Sequence, residues 1–520
     1  ASKFVLRDNI LSFATAAYDP GKALVIDPMI QWGTYYGGAD GDWRGTVVCD
    51  AAGNVYLAGD AASRNNIATT GAHQTLFAGG IDIFLAKFDS NGVRQWATYY
   101  GDASNDYGWS LACDGQSNLY IAGQTYSGFG MGTPGSHQPS YGGGSSDACL
   151  VKFNSNGILQ WATYYGANGT DYGYAVTCDR QNNVYMAGYT TSTLNMSTTG
   201  AHQAANAGGE DAFLVKFNSA GVRQWATYYG GTDEDQARAL SCDNLGNVYM
   251  AGYTLSTTGI ATAGSHQTAA AGRFDAFLVK FTPTGTRQWA TYYGGTEIDR
   301  AYAVLWEESG HVYLAGDTYS NGSIATGGSH QPAYAGGNRQ DAFLAKFTDN
   351  GVRQWATYYG GALDDEAQTV ACDAAGNVYL AGYANSVAGI ATSDGPQSVI
   401  GGAQDAFLAK FNSGGQRQWA TYLGGSGLDY AYGLAIDRDR IYMAGQSNST
   451  TGIATPGSHQ DGYGGGYYDD YLVRFNDCTP PPADLHYTGD TVFCQGHSLQ
   501  LEANTGAGLS WQWQRDGVDI

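Results

Sequence analysis

Gln224-Trp-Ala-Thr-Tyr-Tyr-Gly230 recurs in near-copies around Trp32, Trp96, Trp161, Trp225, Trp289, Trp355 and Trp419, at spacings of 64, 65, 64, 64, 66 and 64 residues. A period of that size marks one supersecondary unit written seven times. Each motif must therefore be compared with its six equivalents. A residue that serves chemistry should break the repeat, and one that serves the scaffold should obey it.

In the unit spanning 159–217, the aromatic and β-branched runs Leu159–Tyr165, Tyr174–Cys178, Val184–Gly188 and Asp211–Phe217 are predicted strands. Asp179-Arg-Gln-Asn-Asn183 is a predicted hairpin connection. Asn218-Ser-Ala-Gly221 turns into the next Gln-Trp, and its glycine supplies the positive φ such a loop needs. The Ser/Thr/Gly-rich stretch from about Thr190 to Gly209 reads as too polar to be buried.

Strands such as Ala-Phe-Leu-Val-Lys-Phe are apolar on both faces and need a sheet on either side. Seven small antiparallel sheets satisfy that need together when arranged radially, as an all-β propeller of four-stranded blades. At its start the array supplies only the Met29–Tyr36 strand, and at its end it stops after Tyr471–Phe475 with no Gln-Trp strand to follow. Pairing the two is expected to close a ring over residues 29–476, whereas an open solenoid would need capping units.

Lys and Arg total 25 against 47 Asp and Glu, a formal charge of −22 with no basic run, so the field repels phosphate backbones and nucleic acid is a poor partner. No apolar stretch reaches the ~18 residues of a membrane-spanning helix. A chain that begins at Ala1 is expected to be a processed form or a piece of a longer protein.

Cys49, Cys113, Cys178, Cys242 and Cys372 share one repeat position with Trp306 and Ile436, which implies a packing site and unpaired thiols. Cys149 replaces a core Phe. Cys478 and Cys494, outside the array, are the disulfide candidates.

Two aspartates recur in every unit. The first set is Asp42, Asp106, Asp171, Asp235, Asp299, Asp365 and Asp429, after the Tyr-Tyr-Gly-Gly turn. Their expected role is to accept hydrogen bonds from their own loop. Calcium held within single loops is the alternative, with Asp40 and Asp42, Asp233 and Asp235, and Asp364 and Asp365 as candidate ligands. The second set opens the Ala-Phe-Leu-Val-Lys-Phe strand: Asp82, Asp147, Asp211, Asp275, Asp341, Asp405 and Asp469. Six units place a histidine shortly before it, at His73, His137, His202, His266, His330 and His459, with Pro396 in the seventh. One histidine per blade cannot converge on a zinc ion, so a structural use is expected.

No nucleophile or zinc-hydrolase motif is present, and no catalytic residue is assigned. The repeat lapses at Trp43, Trp109, Trp306, Glu307, Glu308, His311 and Pro396, and any real site is expected there or in the variable loops.

The repeated Tyr-Tyr-Gly-Gly, Cys-Asp-x-x-Gly-Asn-Val-Tyr-Leu-Ala-Gly, Gly-Ala-His-Gln and Gly-Gly-x-Asp-Ala-Phe-Leu-Val-Lys-Phe motifs resemble the SBBP family, the bacterial seven-bladed β-propeller repeat. Residues 1–28 resemble the last strands of a preceding β-rich domain. Residues 477–484 read as a proline-rich linker, and residues 485–520 resemble the opening of a bacterial Ig-like module, cut short. In that module Cys494 would pair with a later cysteine. The resemblance implies a large exported or cell-surface bacterial protein of the type IX secretion kind. Its expected function is non-enzymatic, an extracellular scaffold or adhesion module that presents loops for a protein partner or for self-association. The alternatives are glycan binding through some of the 39 tyrosines and, behind it, a glycan-acting hydrolase or lyase.

Overall fold

The computed structural model describes residues 29–477, residue 394 apart, and the backbone of residues 3–7, 10–14, 486–488, 500–502, 514–515 and 518–519. In the flanks, Lys3–Arg7 pairs antiparallel with Ile10–Ala14. The proposed Ig-like module and both disulfide candidates, Cys478 and Cys494, lie outside the described side chains. Met29–Asp477 is a compact unit of its own.

That unit is an all-β ring of seven four-stranded antiparallel sheets. Blade 3 shows the plan, running Asp171–Cys178, Val184–Thr190, Asp211–Phe217 and Arg223–Tyr229 from the axis outward. The innermost strand begins three residues before the predicted Tyr174, because Asp171-Tyr-Gly is strand and not turn. It carries a bulge: Gly173 pairs with Gly188 and Ala175 with Ala187, leaving Tyr174 unpaired between them. In blade 7, Asp429–Asp437, Arg440–Ser447 and Asp469–Asn476 are joined by Met29–Tyr36 as fourth strand, in the register Thr34↔Leu472.

The seven tryptophans fasten neighbouring blades. The indole Nε1 of Trp96 donates to the Ser155 carbonyl of the next blade at 3.2 Å, Trp161 to Ser219 at 3.1 Å and Trp225 to Pro283 at 2.8 Å. Trp32, on the N-terminal strand, makes the same bond to Ser90 of blade 1 at 3.1 Å. The lysine of Ala-Phe-Leu-Val-Lys-Phe reaches the same carbonyls, as Lys152 does to Ser219 at 2.8 Å. Glycine is required in the receiving turn: Gly221 has φ +79°, and a Cβ there would stand 2.9 Å from the Trp161 indole.

The polar stretch after the second strand is strapped along the free edge of the outermost strand. Thr198 N–H donates to the Ala226 carbonyl at 3.0 Å and Tyr228 N–H to the Gln203 carbonyl at 3.2 Å, and each other blade repeats the arrangement. This edge pairing is how the sheet avoids presenting unpaired backbone groups. One apolar residue per strap is buried, Met196 in blade 3 and Ile260 in blade 4, against the expectation that the stretch stays outside. Its carbonyl accepts a tyrosine hydroxyl, Tyr165 to Met196 at 2.8 Å.

Candidate functional site

The innermost strands of all seven blades surround a central channel that holds a cavity of about 660 Å³. In six blades the third residue after the first-set aspartate is the bulge residue: Trp109, Tyr174, Arg238, Tyr302, Gln368 and Tyr432. Bulges re-aim side chains, and all six of these line the channel. In blade 1 two residues are left over, Arg44 and Gly45, and the arginine lines the channel. Arg44 is left-handed, with φ +66°, a conformation that costs a non-glycine residue about 1 kcal/mol or more and persists only when its surroundings enforce it. Here Gly45 N–H donates to Asp470 at 2.6 Å, and Arg44 N–H to Gln446 at 3.2 Å. Asp470 is fully buried where five other blades carry alanine and one isoleucine.

These side chains touch in sequence around half the ring. The Arg44 guanidinium lies 3.7 Å from the Trp109 ring centroid, the Trp109 and Tyr174 rings meet edge to face at 4.8 Å, and the Arg238 guanidinium lies 3.8 Å from the Tyr174 centroid. Arg238 Nη2 also donates to Gln236 at 2.8 Å and to the Tyr253 hydroxyl at 2.7 Å. Non-repeating acids stand beside this belt. Asp60 accepts from Gly108 N–H at 2.7 Å and pairs with Arg44 at 3.4 Å; burial pushes its carboxyl up to about 7, against the pull of Arg44. Burial raises Asp470 well above the carboxylate range, reinforced by Asp42. Arg300 grips Asp317 through Nε at 3.1 Å and Nη2 at 2.7 Å. Glu366, which lines the cavity, accepts from Tyr383 at 2.7 Å and Gln340 at 2.9 Å; burial and then Asp317 raise it.

The repeated aspartates are occupied by the scaffold. Asp42 accepts from Gly38 N–H at 2.9 Å and Ser63 Oγ at 2.7 Å; Asp235 from Gly231 N–H at 2.7 Å and Ser256 Oγ at 2.9 Å; Asp365 from Gly361 N–H at 2.7 Å and Ser386 Oγ at 2.6 Å. Their calcium-candidate neighbours differ. Asp40 and Asp233 are exposed, and Asp364 pairs with Arg339 at 3.1 Å. Among the described residues, no three His, Cys, Asp or Glu side chains gather as a metal cage. Six of the second-set aspartates accept from a strap glutamine and a backbone N–H, as Asp82 does from Gln74 at 3.0 Å and Ala78 at 2.8 Å, and Asp275 accepts from backbone N–H groups alone. The glycine between the two sets packs against both, so a Cβ on Gly101 would stand 2.5 Å from Asp82 Oδ1 and 3.1 Å from Asp106 Oδ2.

Each of the six repeat histidines lies over the aromatic residues of a blade boundary: the His73 ring sits 6.0 Å from that of Tyr100 and 5.8 Å from that of Phe153 of the next blade. All six described cysteines are free. Six of the seven residues at the shared cysteine position pack as partly buried groups against the cores between blades: Cys49, Cys113, Cys178, Cys242, Trp306 and Ile436. The many tyrosines are largely absorbed inside. Tyr228 and Tyr229 are both buried, their hydroxyls donating to Ser192 at 2.9 Å and Ile260 at 3.0 Å.

Of the lapses singled out from sequence, Trp109 alone lines the channel. Glu308 forms an exposed ion pair with Arg180 at 2.8 Å, and Glu307 and His311 close a hairpin. Arg44, Arg238, Tyr302, Gln368 and Tyr432 escaped notice. Part of the signal was available: between a fixed aspartate and a fixed cysteine position, the first and third residues after the aspartate change chemistry from copy to copy, although Arg44 falls in neither column.

A family model described as a β-propeller repeat, SBBP, matches residues 95–130, 160–194, 224–258, 354–387 and 418–452. Five of the seven copies thus match this repeat model. Among curated proteins, the ring is similar to an uncharacterized WD repeat-containing protein of Acanthamoeba polyphaga mimivirus, at 24% identity over 82% of this chain and 37% of that one. It is also similar to the regulatory protein FlaEY of Caulobacter vibrioides, at 25% identity over 62% of this chain and 34% of that one. The chain thus spans about a third of the length of the curated relatives it matches. Among solved structures, the WD40 propeller of Doa1 aligns with 87% of this chain and 98% of its own at a TM-score of 0.41 and 7% identity. A protein of unknown function from Dyadobacter fermentans aligns with 87% of this chain and 100% of its own at 0.40 and 10%.

Proposed function

We propose that the SBBP ring is a non-enzymatic interaction module and that its ligand site is the channel mouth formed by the bulge residues. One observation carries this reading. The scaffold positions repeat in every blade, while the residues aimed into the channel are Arg, Trp, Tyr, Arg, Tyr, Gln and Tyr in order. Tryptophan, tyrosine and arginine are the residues that dominate binding energy at protein interfaces. The cavity is also within the ~300–1,000 Å³ range of ligand pockets. A protein partner or a second copy of the chain is the favoured occupant over a surface glycan, because guanidinium groups already cover faces of Trp109 and Tyr174 on which a sugar would stack.

The wider setting in this proposal is a large exported bacterial protein, at the cell surface or secreted, with the ring followed by an Ig-like module and serving adhesion or extracellular assembly. That setting rests on the resemblance of the repeats and flanks. The test is selection of peptides from a random phage-displayed library on the full chain, beside a glycan array. Peptides whose binding is lost in a Trp109→Ala, Tyr302→Ala, Tyr432→Ala triple variant support the proposal. An empty selection, or glycan binding lost in the same variant, overturns it.

A further inference from the structure

The cations in and beside the channel are not equivalent, and Arg44 and Arg238 line it. Arg44 and Arg300 each hold a buried carboxylate, Asp60 and Asp317. Arg238 has no acidic partner among the described residues. Its guanidinium is fixed all the same, by the Tyr174 face and by two neutral acceptors that both use Nη2. Its Nε is buried without a partner, and Nη1 makes no hydrogen bond among the described residues. A cation held rigid in a walled cavity, with part of its donor fork unspent, is preorganised for an anion, since little side-chain entropy remains to be lost. Nothing in the repeat requires it, for the same position is tyrosine in three other blades and tryptophan in one.

Resting on the channel mouth as the ligand site, we infer that Arg238 receives a carboxylate from an acidic segment of a partner polypeptide. Nη1 would donate to one carboxylate oxygen, a charge-assisted bond stronger than a neutral one. Tyr302 and Tyr432 would flank the peptide. Peptide is favoured over an acidic sugar by the same covered aromatic faces.

The test is calorimetric titration of the full chain with capped tetraglutamate, capped tetraglutamine and trigalacturonate. Tetraglutamate is expected to bind about tenfold tighter than tetraglutamine, and Arg238→Gln to remove that difference while the exposed Arg64→Gln keeps it. Arg238→Lys, which keeps charge but not the planar stack, should fall between. Should Arg238→Gln fail to fold, wild-type protein still decides: raising salt from about 50 to about 500 mM should weaken tetraglutamate alone. Equal binding of both peptides, no binding of either, or trigalacturonate binding that depends on Arg238 overturns the inference. Phage selection that enriches channel-dependent neutral peptides would leave the channel as a binding site while removing the acidic ligand.

Discussion

The Trp225 indole Nε1 donates to the Pro283 carbonyl at 2.8 Å, across the boundary between blades 3 and 4, while its ring lies on Gly285. Trp225→Phe removes one hydrogen bond and should cost about 1 kcal/mol. Trp225→Ala also removes the packed ring and should cost about 3 to 5 kcal/mol. Gly285→Ala meets a positive φ of 82° and an indole 2.9 Å away, so it should lose at least about 1 kcal/mol. Urea unfolding of the three variants ranks them.

Acid should stabilise this fold down to mildly acidic pH. Burial holds Asp42, Asp106, Asp299, Asp365 and Asp429 at about 6, and Asp82, Asp147, Asp235, Asp341 and Asp469 at about 7. Groups raised on folding contribute stability that is full below their unfolded pKa and is lost as pH climbs through the folded one. The histidines work the other way. Burial lowers His137, His330 and His459 to about 4, so their contribution is lost as pH falls from their unfolded value through 4. With aspartates in the majority, the melting temperature should be highest near pH ~4, fall as the pH climbs to ~7, and level off above it. A curve that keeps rising to alkaline pH would count against the buried-acid account, and Asp82→Asn should flatten the slope.

Calcium should matter little to stability. Asp42, Asp235 and Asp365 already accept hydrogen bonds from backbone N–H groups and serine hydroxyls, so a cation would displace bonds already made. Thermal melts in chelator and in millimolar calcium should coincide. A ligand that bound only the folded state at ~100 times its Kd would add about 2.7 kcal/mol, which a melt would register.

Removal of residues 29–36 should leave the Asp469–Asn476 strand as an open edge and blade 7 with three strands. Such edges recruit other chains. Size-exclusion chromatography should show aggregation, and a peptide of residues 29–36 added during refolding should suppress it.

Blade number and strand order were readable because both depend on residues that all seven copies share. The scaffold histidines and aspartates declared themselves by obeying the period. The bulge was not readable, since Asp171-Tyr-Gly has the composition of a turn and only tertiary pairing with Gly188 makes it strand. Met196 was hidden for a related reason: one apolar side chain among serines and threonines is buried by the tyrosine above it, not by any local pattern. Arg238 illustrates both limits, because its channel-facing direction depends on a bulge that no single copy reveals.

The register Met29↔Asn476 places the entry and exit of the ring side by side on antiparallel strands. Tension applied to the chain on either side would therefore open that pair one bond at a time, loading its hydrogen bonds in series and not in parallel. Pulled within a longer molecule, the ring would yield first at this seam, and the blades behind it would then be released in turn.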